Sequence, residues 1–444
     1  MKALSPLFAA HVAERITTAG RALSETGFER LVVHSGAPFT YYADDMDAPF
    51  RSTPHFAHWA PVEGPYHLLD VAPGRKPRIL RVTPRDYWYA PPAPAPEFVR
   101  EAFEVVDVET PEEAWKEAAT TPFSAKTAFI GPEEPAAKAK GFAGAALNPK
   151  GLVARLDWER SYKTPYEVAS LSEATAKAAK GFRAAEAAFR AGASEIEIHH
   201  AYVAAVGDPD DALPYTTIIA LDERAATLHY HAKRGREAAP GAVFLIDAGA
   251  SVRMYGSDIT RTYVAGKADP VFVKLLDGMK ALQKTLAEGA RPGRPYVDLH
   301  REAHRRIGAL LAETGVLKVS LDEALEKKLT LPFLPHGLGH LLGVQVHDVS
   351  GRQASREGAV QPPPEDYPSL RTTRTIETRM VFTIEPGLYF IPMLLEPYRA
   401  GRTTDAFNWP LIDRLTVCGG IRVEDDVLVE TDRNRNLTRE FLPE

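Results

Sequence analysis

"VFLIDAGASVRMYGSDITRTYV", residues 243–264, sets acids where an apolar strand should exclude them. Val243, Phe244, Leu245 and Ile246 read as a buried strand, and Asp247 follows directly; Asp258 stands after a turn, ahead of a second strand-like run. The pattern returns twice. Glu385 follows Val381, Phe382 and Ile384 in "RMVFTIEPGLYF" (379–390), and Glu424 lies within "CGGIRVEDDVLVE" (418–430). An ionised carboxylate in such surroundings is costly unless something offsets it. Two partners fit: arginine, with Arg261, Arg371, Arg374 and Arg422 the local supply, or a divalent metal.

A second unusual stretch, "LPHGLGHLLGVQVHDVSG" (334–351), places His336, His340 and His347 among glycines and aliphatic residues. Gly337, Gly339 and Gly343 disfavour a helix and predict a loop followed by a strand. The G-x-G-x-x-x-G spacing resembles a phosphate cradle only superficially, because no opening helix follows. Four carboxylates and one imidazole carry a formal charge of about −4, which two divalent ions would neutralise. Hard oxygen donors and no sulfur favour Mn²⁺, with Co²⁺, Zn²⁺ or Mg²⁺ as alternatives, and the pattern is not that of closed structural zinc. Spacing alone leaves the dinuclear and arginine-paired readings open.

The rest of the chain frames these motifs. A length of 444 residues points to two domains. A hydrophobic content of 45% and a charged content of 25% are those of a globular protein. A net charge of −6 gives no reason to expect a nucleic acid or an anionic membrane as partner. Cys418 is the one cysteine, so no disulfide framework is available and a reducing cytoplasm fits. No apolar run is long enough to span a membrane, and the first residues read as a helix rather than a secretion signal. "FERLVVHSG" (28–36) and "TAFIGP" (127–132) read as strands, "YHLLDVAPGRKPRILRV" (66–82) as a hairpin, and "PPAPAPEF" (91–98) as a connector. This predicts a small α/β domain over 1–158. From 159 to 444 the pattern is α+β: an alanine-rich helix over 166–191, a second helix opened by a Ser194/Glu197 capping box, two further helices, and the acid-bearing strands. His199 and His200 on the second helix read as surface or helix-face residues rather than ligands.

Taken in order, "LIDAGA", "SDITRT", "PHGLGHLLGVQVHD", "FTIEPGLYF" and "GGIRVEDDV" resemble the pita-bread metallopeptidases. Among these they are most similar to bacterial prolidases (Xaa-Pro dipeptidases), including those called organophosphorus acid anhydrolases, over essentially the whole chain. The resemblance implies a pita-bread catalytic domain behind a smaller α/β domain. It assigns Asp247, Asp258, His340, Glu385 and Glu424 as ligands of two divalent metals, with Asp258 and Glu424 bridging. It implies hydrolysis of dipeptides with C-terminal proline by a hydroxide held between the metals, with Glu385 moving the proton and His336 and His347 stabilising the tetrahedral intermediate. The alternative for these two histidines is a structural role. Arg422 and Arg371 match arginines near the substrate carboxylate, their alternative being salt bridges to the ligand acids. Tyr215, Leu228, His229, Tyr296, Val346 and Leu370 match pocket-lining positions. Asp45, in "YYADDMD", matches a residue that reaches the partner subunit's site in some relatives, which implies a homodimer. Relatives carry Pro-Gly where this chain has Thr378-Arg379, so a different turn is expected there. The rival functions are an Xaa-Pro aminopeptidase acting on longer peptides and a pita-bread binding protein without catalysis; organophosphate hydrolysis is an expected side activity.

Overall fold

In the computed structural model, residues 4–235 and 241–443 are described, and they form two compact units. The first comprises residues 1–167 with 355–359, and the second residues 168–354 with 360–444.

The first unit is built on a five-stranded sheet. Arg30–His34 lies between Leu68–Val71, antiparallel, and Thr127–Ile130, parallel. The expected hairpin is present, with Arg78–Val82 antiparallel to Leu68–Val71, and Glu104–Val108 closes the edge in parallel. Val32, Leu68, Leu80, Trp115, Phe129 and Phe142 fill one face of this sheet. The unit also buries polar groups that composition does not announce. Arg30 grips both oxygens of Asp70 at 2.7 and 2.8 Å, and Glu167 lies 3.4 Å from His58 and 3.7 Å from His11.

The helix Pro165–Arg190 carries the chain into the second unit. The Ser194/Glu197 capping box opens the helix Glu195–Val206, as expected. Two long amphipathic helices, Pro270–Gly289 and Tyr296–Glu313, complete the helical layer. The sheets are antiparallel. Val243–Ala248 runs between Ile218–Leu221 and Ile259–Val264; Val381–Ile384 pairs with Asp425–Leu428; and Gly387–Tyr389 pairs with Gly420–Arg422. The stretch 334–351 departs from its reading: beyond a bridge from Leu341 to Phe382 it holds no strand. Its backbone nevertheless follows 381–385, with Thr383 N donating to His340 O at 2.9 Å and Glu385 N to Leu338 O at 2.8 Å. Among the described residues, no helix is long and apolar enough to cross a membrane.

The turn before Val381–Ile384 keeps a left-handed residue, but that residue is Arg379, at φ 70°. Arg379 N still bonds to Val429 O at 2.9 Å, so the turn is closed with a non-glycine residue in left-handed backbone. Left-handed backbone costs a non-glycine residue about 1–2 kcal/mol. Arg379→Gly is therefore expected to stabilise the chain by about 1 kcal/mol, read as a raised denaturation midpoint at unchanged slope. A lowered midpoint would contradict the account.

Candidate active site

Strand register brings the acids together. Thr260 pairs with Asp247 on one side and with Glu424 on the other, so three strands set these residues in one row. Asp247 lies within its strand; Asp258 precedes Ile259–Val264; and Glu424 occupies the break between Gly420–Arg422 and Asp425–Leu428. Glu385 directly follows the strand Val381–Ile384, and the backbone pairing with 338–342 sets His340 beside it. Close approach of this loop requires glycine at 339, where a Cβ would lie 1.9 Å from Thr383 O and 2.5 Å from Tyr296 Oη.

Asp258, His340 and Glu424 offer ligand atoms within 4.8 Å of one another, all three buried. His340 Nε2 lies 3.4 Å from Asp258 Oδ2 and 3.7 Å from Glu385 Oε1. Tyr215 Oη joins Asp247 to Asp258 at 2.8 and 2.6 Å. A hydroxyl has one proton to donate, so the two carboxyl groups share a single donor there. Burial raises the pKa of Asp247, with Arg422 opposing and the neighbouring Asp258 adding to the rise. Burial also lifts Glu424 well above the usual carboxylate range, reinforced by Asp258, Glu385 and Asp247. Glu385 is raised to about 7, by burial first, with His340 and Arg422 opposing and the other acids adding to it. Asp258 alone of the four is lowered: burial pushes it up, but the His340 and Tyr215 hydrogen bonds outweigh that.

The arginines do not neutralise this cluster. Arg422 Nη2 pairs with Asp247 Oδ2 at 2.6 Å, while its Nε bonds to Thr260 Oγ1 at 3.1 Å and its Nη1 to Tyr389 Oη at 2.8 Å. Arg261 is engaged with Asp425, and Arg374 with Ser350 and Glu377. Four acids raised or held by so few cations, with hard oxygen donors and one imidazole facing each other, fit divalent metal ions.

These groups form the floor of a cavity of about 560 Å³, a size suited to a small ligand. His229, Leu228, Val346, His347 and Arg371 face it with Tyr215. Other expected positions lie elsewhere. Tyr296 is fully buried behind the floor, with its hydroxyl on Thr383 O at 3.2 Å, and Leu370 is buried against Gly337. Asp45 is exposed in the first unit. His336 lines the cavity with both ring nitrogens engaged, Nδ1 donating to Gly337 O at 2.8 Å and Nε2 accepting from Tyr389 Oη at 2.9 Å. Burial keeps His336 neutral, its pKa lowered to about 3; His347 is lowered to about 4, by burial and then by His340. Tyr389, which joins His336 to Arg422, escaped sequence reading because its strand shows only an aromatic residue among apolar neighbours. Thr216, His231 and Ser369 also line the cavity and carry no motif.

Residues 169–431 match the profile of metallopeptidase family M24, and residues 6–158 match that described as Xaa-Pro dipeptidase, N-terminal domain. The chain belongs to metallopeptidase family M24. It is similar to the Xaa-Pro dipeptidase of Pseudoalteromonas atlantica, 40% identical over 445 residues and covering 99% of each chain. Its identity to that of Stenotrophomonas maltophilia is 43% over 436 residues, covering 98% of this chain and 96% of the relative. Among solved structures it resembles aminopeptidase P from E. coli with the inhibitor Pro-Leu, at a TM-score of 0.74 and 21% identity, covering 98% and 96% of the two chains. Proline aminopeptidase P II from Yersinia pestis gives a TM-score of 0.73. At that identity these two speak for the fold alone, which is the pita-bread fold of the M24 peptidases.

Proposed function

We propose that this M24 member is an Xaa-Pro dipeptidase, hydrolysing dipeptides with C-terminal proline and using two divalent ions, Mn²⁺ by preference, held by Asp247, Asp258, His340, Glu385 and Glu424. The observation that carries the reading is the convergence of these five residues, from separate segments, on the floor of one cavity. The names of the full-length relatives support it. With the ions bound, the site supplies a Lewis acid and an activated water.

The chain's own residues supply the rest. Glu385, on the cavity floor beside His340, can take a proton and return it to the leaving nitrogen. A neutral His347 at the cavity wall is suited to donate to the developing oxyanion. His336 reaches substrate by exchanging its Tyr389 bond. Arg371 offers a guanidinium to the dipeptide carboxylate, and Arg422, anchored on Asp247, Thr260 and Tyr389, stiffens the wall beside it. His229, Tyr215, Leu228, Val346, Leu370 and Tyr296 shape or back the pocket in this reading. The assembly is a cytoplasmic homodimer with Asp45 contributing across the interface. Support for the dimer comes from the loops around Asp45 and Trp88, where Phe39, Tyr42, Met46, Tyr87, Trp88 and Tyr89 are each more than half exposed. The domain division at 158/159 belongs to the same reading and follows the end of the N-terminal profile.

The test compares a dipeptide with a tripeptide carrying the same Xaa-Pro bond, after chelation and return of Mn²⁺. The dipeptide is expected to be cleaved preferentially, with activity lost on chelation and regained with the ion. Preference for the tripeptide would make the chain an Xaa-Pro aminopeptidase, and failure of every divalent ion to restore cleavage would end the metal reading.

A further inference from the structure

Residues 207–217 join the helix Glu195–Val206 to the strand Ile218–Leu221 and carry Tyr215 to the acids. One side chain of that helix, His199, grips this connector twice. Its Nε2 lies 2.9 Å from Asp210 Oδ1, and its Nδ1 lies 2.9 Å from Thr217 Oγ1. A carboxylate only accepts, so Nε2 carries the ring proton and Nδ1 accepts from the threonine hydroxyl. His199 is 6% exposed, so it lies on the buried face of its helix rather than at the surface. Charging the ring does not open the clasp, because the threonine oxygen accepts as readily as its hydroxyl donates.

Other contacts hold the start and middle of the connector. Lys177 Nζ bonds to Asp208 Oδ2 at 2.5 Å, and Pro214 packs where a Cβ on Gly249 or Gly256 would come within 2.9 or 2.6 Å of its ring. His199 holds the end, two residues from Tyr215. We infer that His199 is a positioning residue for metal binding: through Thr217 it keeps the Tyr215 hydroxyl between Asp247 and Asp258, so that both carboxylates are oriented before an ion arrives. This rests on the metal reading of the site.

A hydrogen-bond partner of a metal ligand is worth about 10–100-fold in affinity. His199 acts through such a partner, so its loss is expected at the low end, roughly 10-fold. The test is calorimetric Mn²⁺ titration of the metal-stripped full chain in five forms: wild type, Tyr215→Phe, Thr217→Val, His199→Leu and His199→Gln. Thr217→Val and His199→Leu should each bind Mn²⁺ about 10-fold more weakly, while His199→Gln, whose amide offers one donor and one acceptor, should recover most of the affinity. Thermal melts of the stripped proteins establish that each is folded; if His199→Leu is not, Thr217→Val and His199→Gln decide. Wild-type affinity in a folded Thr217→Val, beside weakened binding in Tyr215→Phe, would overturn the inference and leave the metal reading intact. No uptake by the wild-type chain would overturn both.

Discussion

Asp258→Asn should abolish hydrolysis, by on the order of 10³-fold or more, and with it the stabilisation that divalent ions give. Asp258 is the member of the cluster whose charge the protein already favours. Burial opposes ionisation, but His340 Nε2 at 3.4 Å and the Tyr215 hydroxyl at 2.6 Å hold the carboxylate ionised. Asparagine keeps the volume and replaces one oxygen by an N–H donor facing these groups, so neither a cation nor His340 finds its anion. The metal-free protein should also lose about 1–3 kcal/mol, the cost of leaving a buried partner unsatisfied. Glu424→Gln is expected to fail in the same assay with the opposite effect on the metal-free chain. Its charge is opposed by burial and by three neighbouring acids, and its contact with Thr260 Oγ1, at 2.6 Å, survives in the amide. A metal-binding floor predicts one functional loss with two signs of stability change. Measured metal content and metal-free melting of both variants would decide it, and full metal occupancy in Asp258→Asn would exclude Asp258 as a ligand.

Much of this floor was legible in the chain because the physics is local. An acid after Val-Phe-Leu-Ile, or ahead of Pro-Gly in "FTIEPG", contradicts its surroundings by itself, and four such contradictions define a cluster without any knowledge of the sheet. The helices and the N-terminal hairpin were legible for a similar reason, since caps and alternation act over a few residues. What stayed hidden depends on distant pairing. Tyr389 acquires its place by touching both His336 and Arg422. His199 looks like any helix residue until Asp210 and Thr217 fold over it. Arg422 reads first as a substrate handle, and its place as a buttress shows only in the three bonds its side chain makes. The absence of a strand in 334–351 has a similar origin. Its glycines permit a loop that borrows hydrogen bonds from 381–385, and the borrowed partner lies some forty residues away in "MVFTIEPG".

Acidification should erase the thermal stabilisation conferred by divalent ions, because two sets of buried groups then pull in opposite directions. Burial lowers His34, His67 and His304 to about 4 and His58 and His336 to about 3. The folded chain keeps these rings neutral while the unfolded chain protonates them near 6.5, so their contribution is complete above about pH 6.5 and is lost as pH falls toward 4. Glu385 runs the other way. Its folded pKa of about 7 exceeds the ordinary value of 4.5, so its cost is greatest above 7 and is relieved as pH falls from 7 to 4.5. The rises in Asp247 and Glu424 add relief of the same sign. In the metal-free chain the acids therefore offset part of the histidine loss. In the metal-loaded chain the ligands are held ionised, the offset is gone, and protons compete with the ions as well. At pH 8 and a hundredfold excess over the dissociation constant, Mn²⁺ should contribute about 2.7 kcal/mol, or roughly 3–5 °C in Tm for a chain of this size. This increment should shrink steadily as pH falls through 7, where Glu385 takes up its proton in the metal-free chain. Paired melts across pH with Mn²⁺ and with chelator measure it directly. An increment that stays constant or grows on acidification would mean that the raised acids are not the groups the ions occupy, whereas His304→Phe, which removes one of the neutral rings and leaves the floor alone, should flatten the acid side of both curves without changing the gap between them.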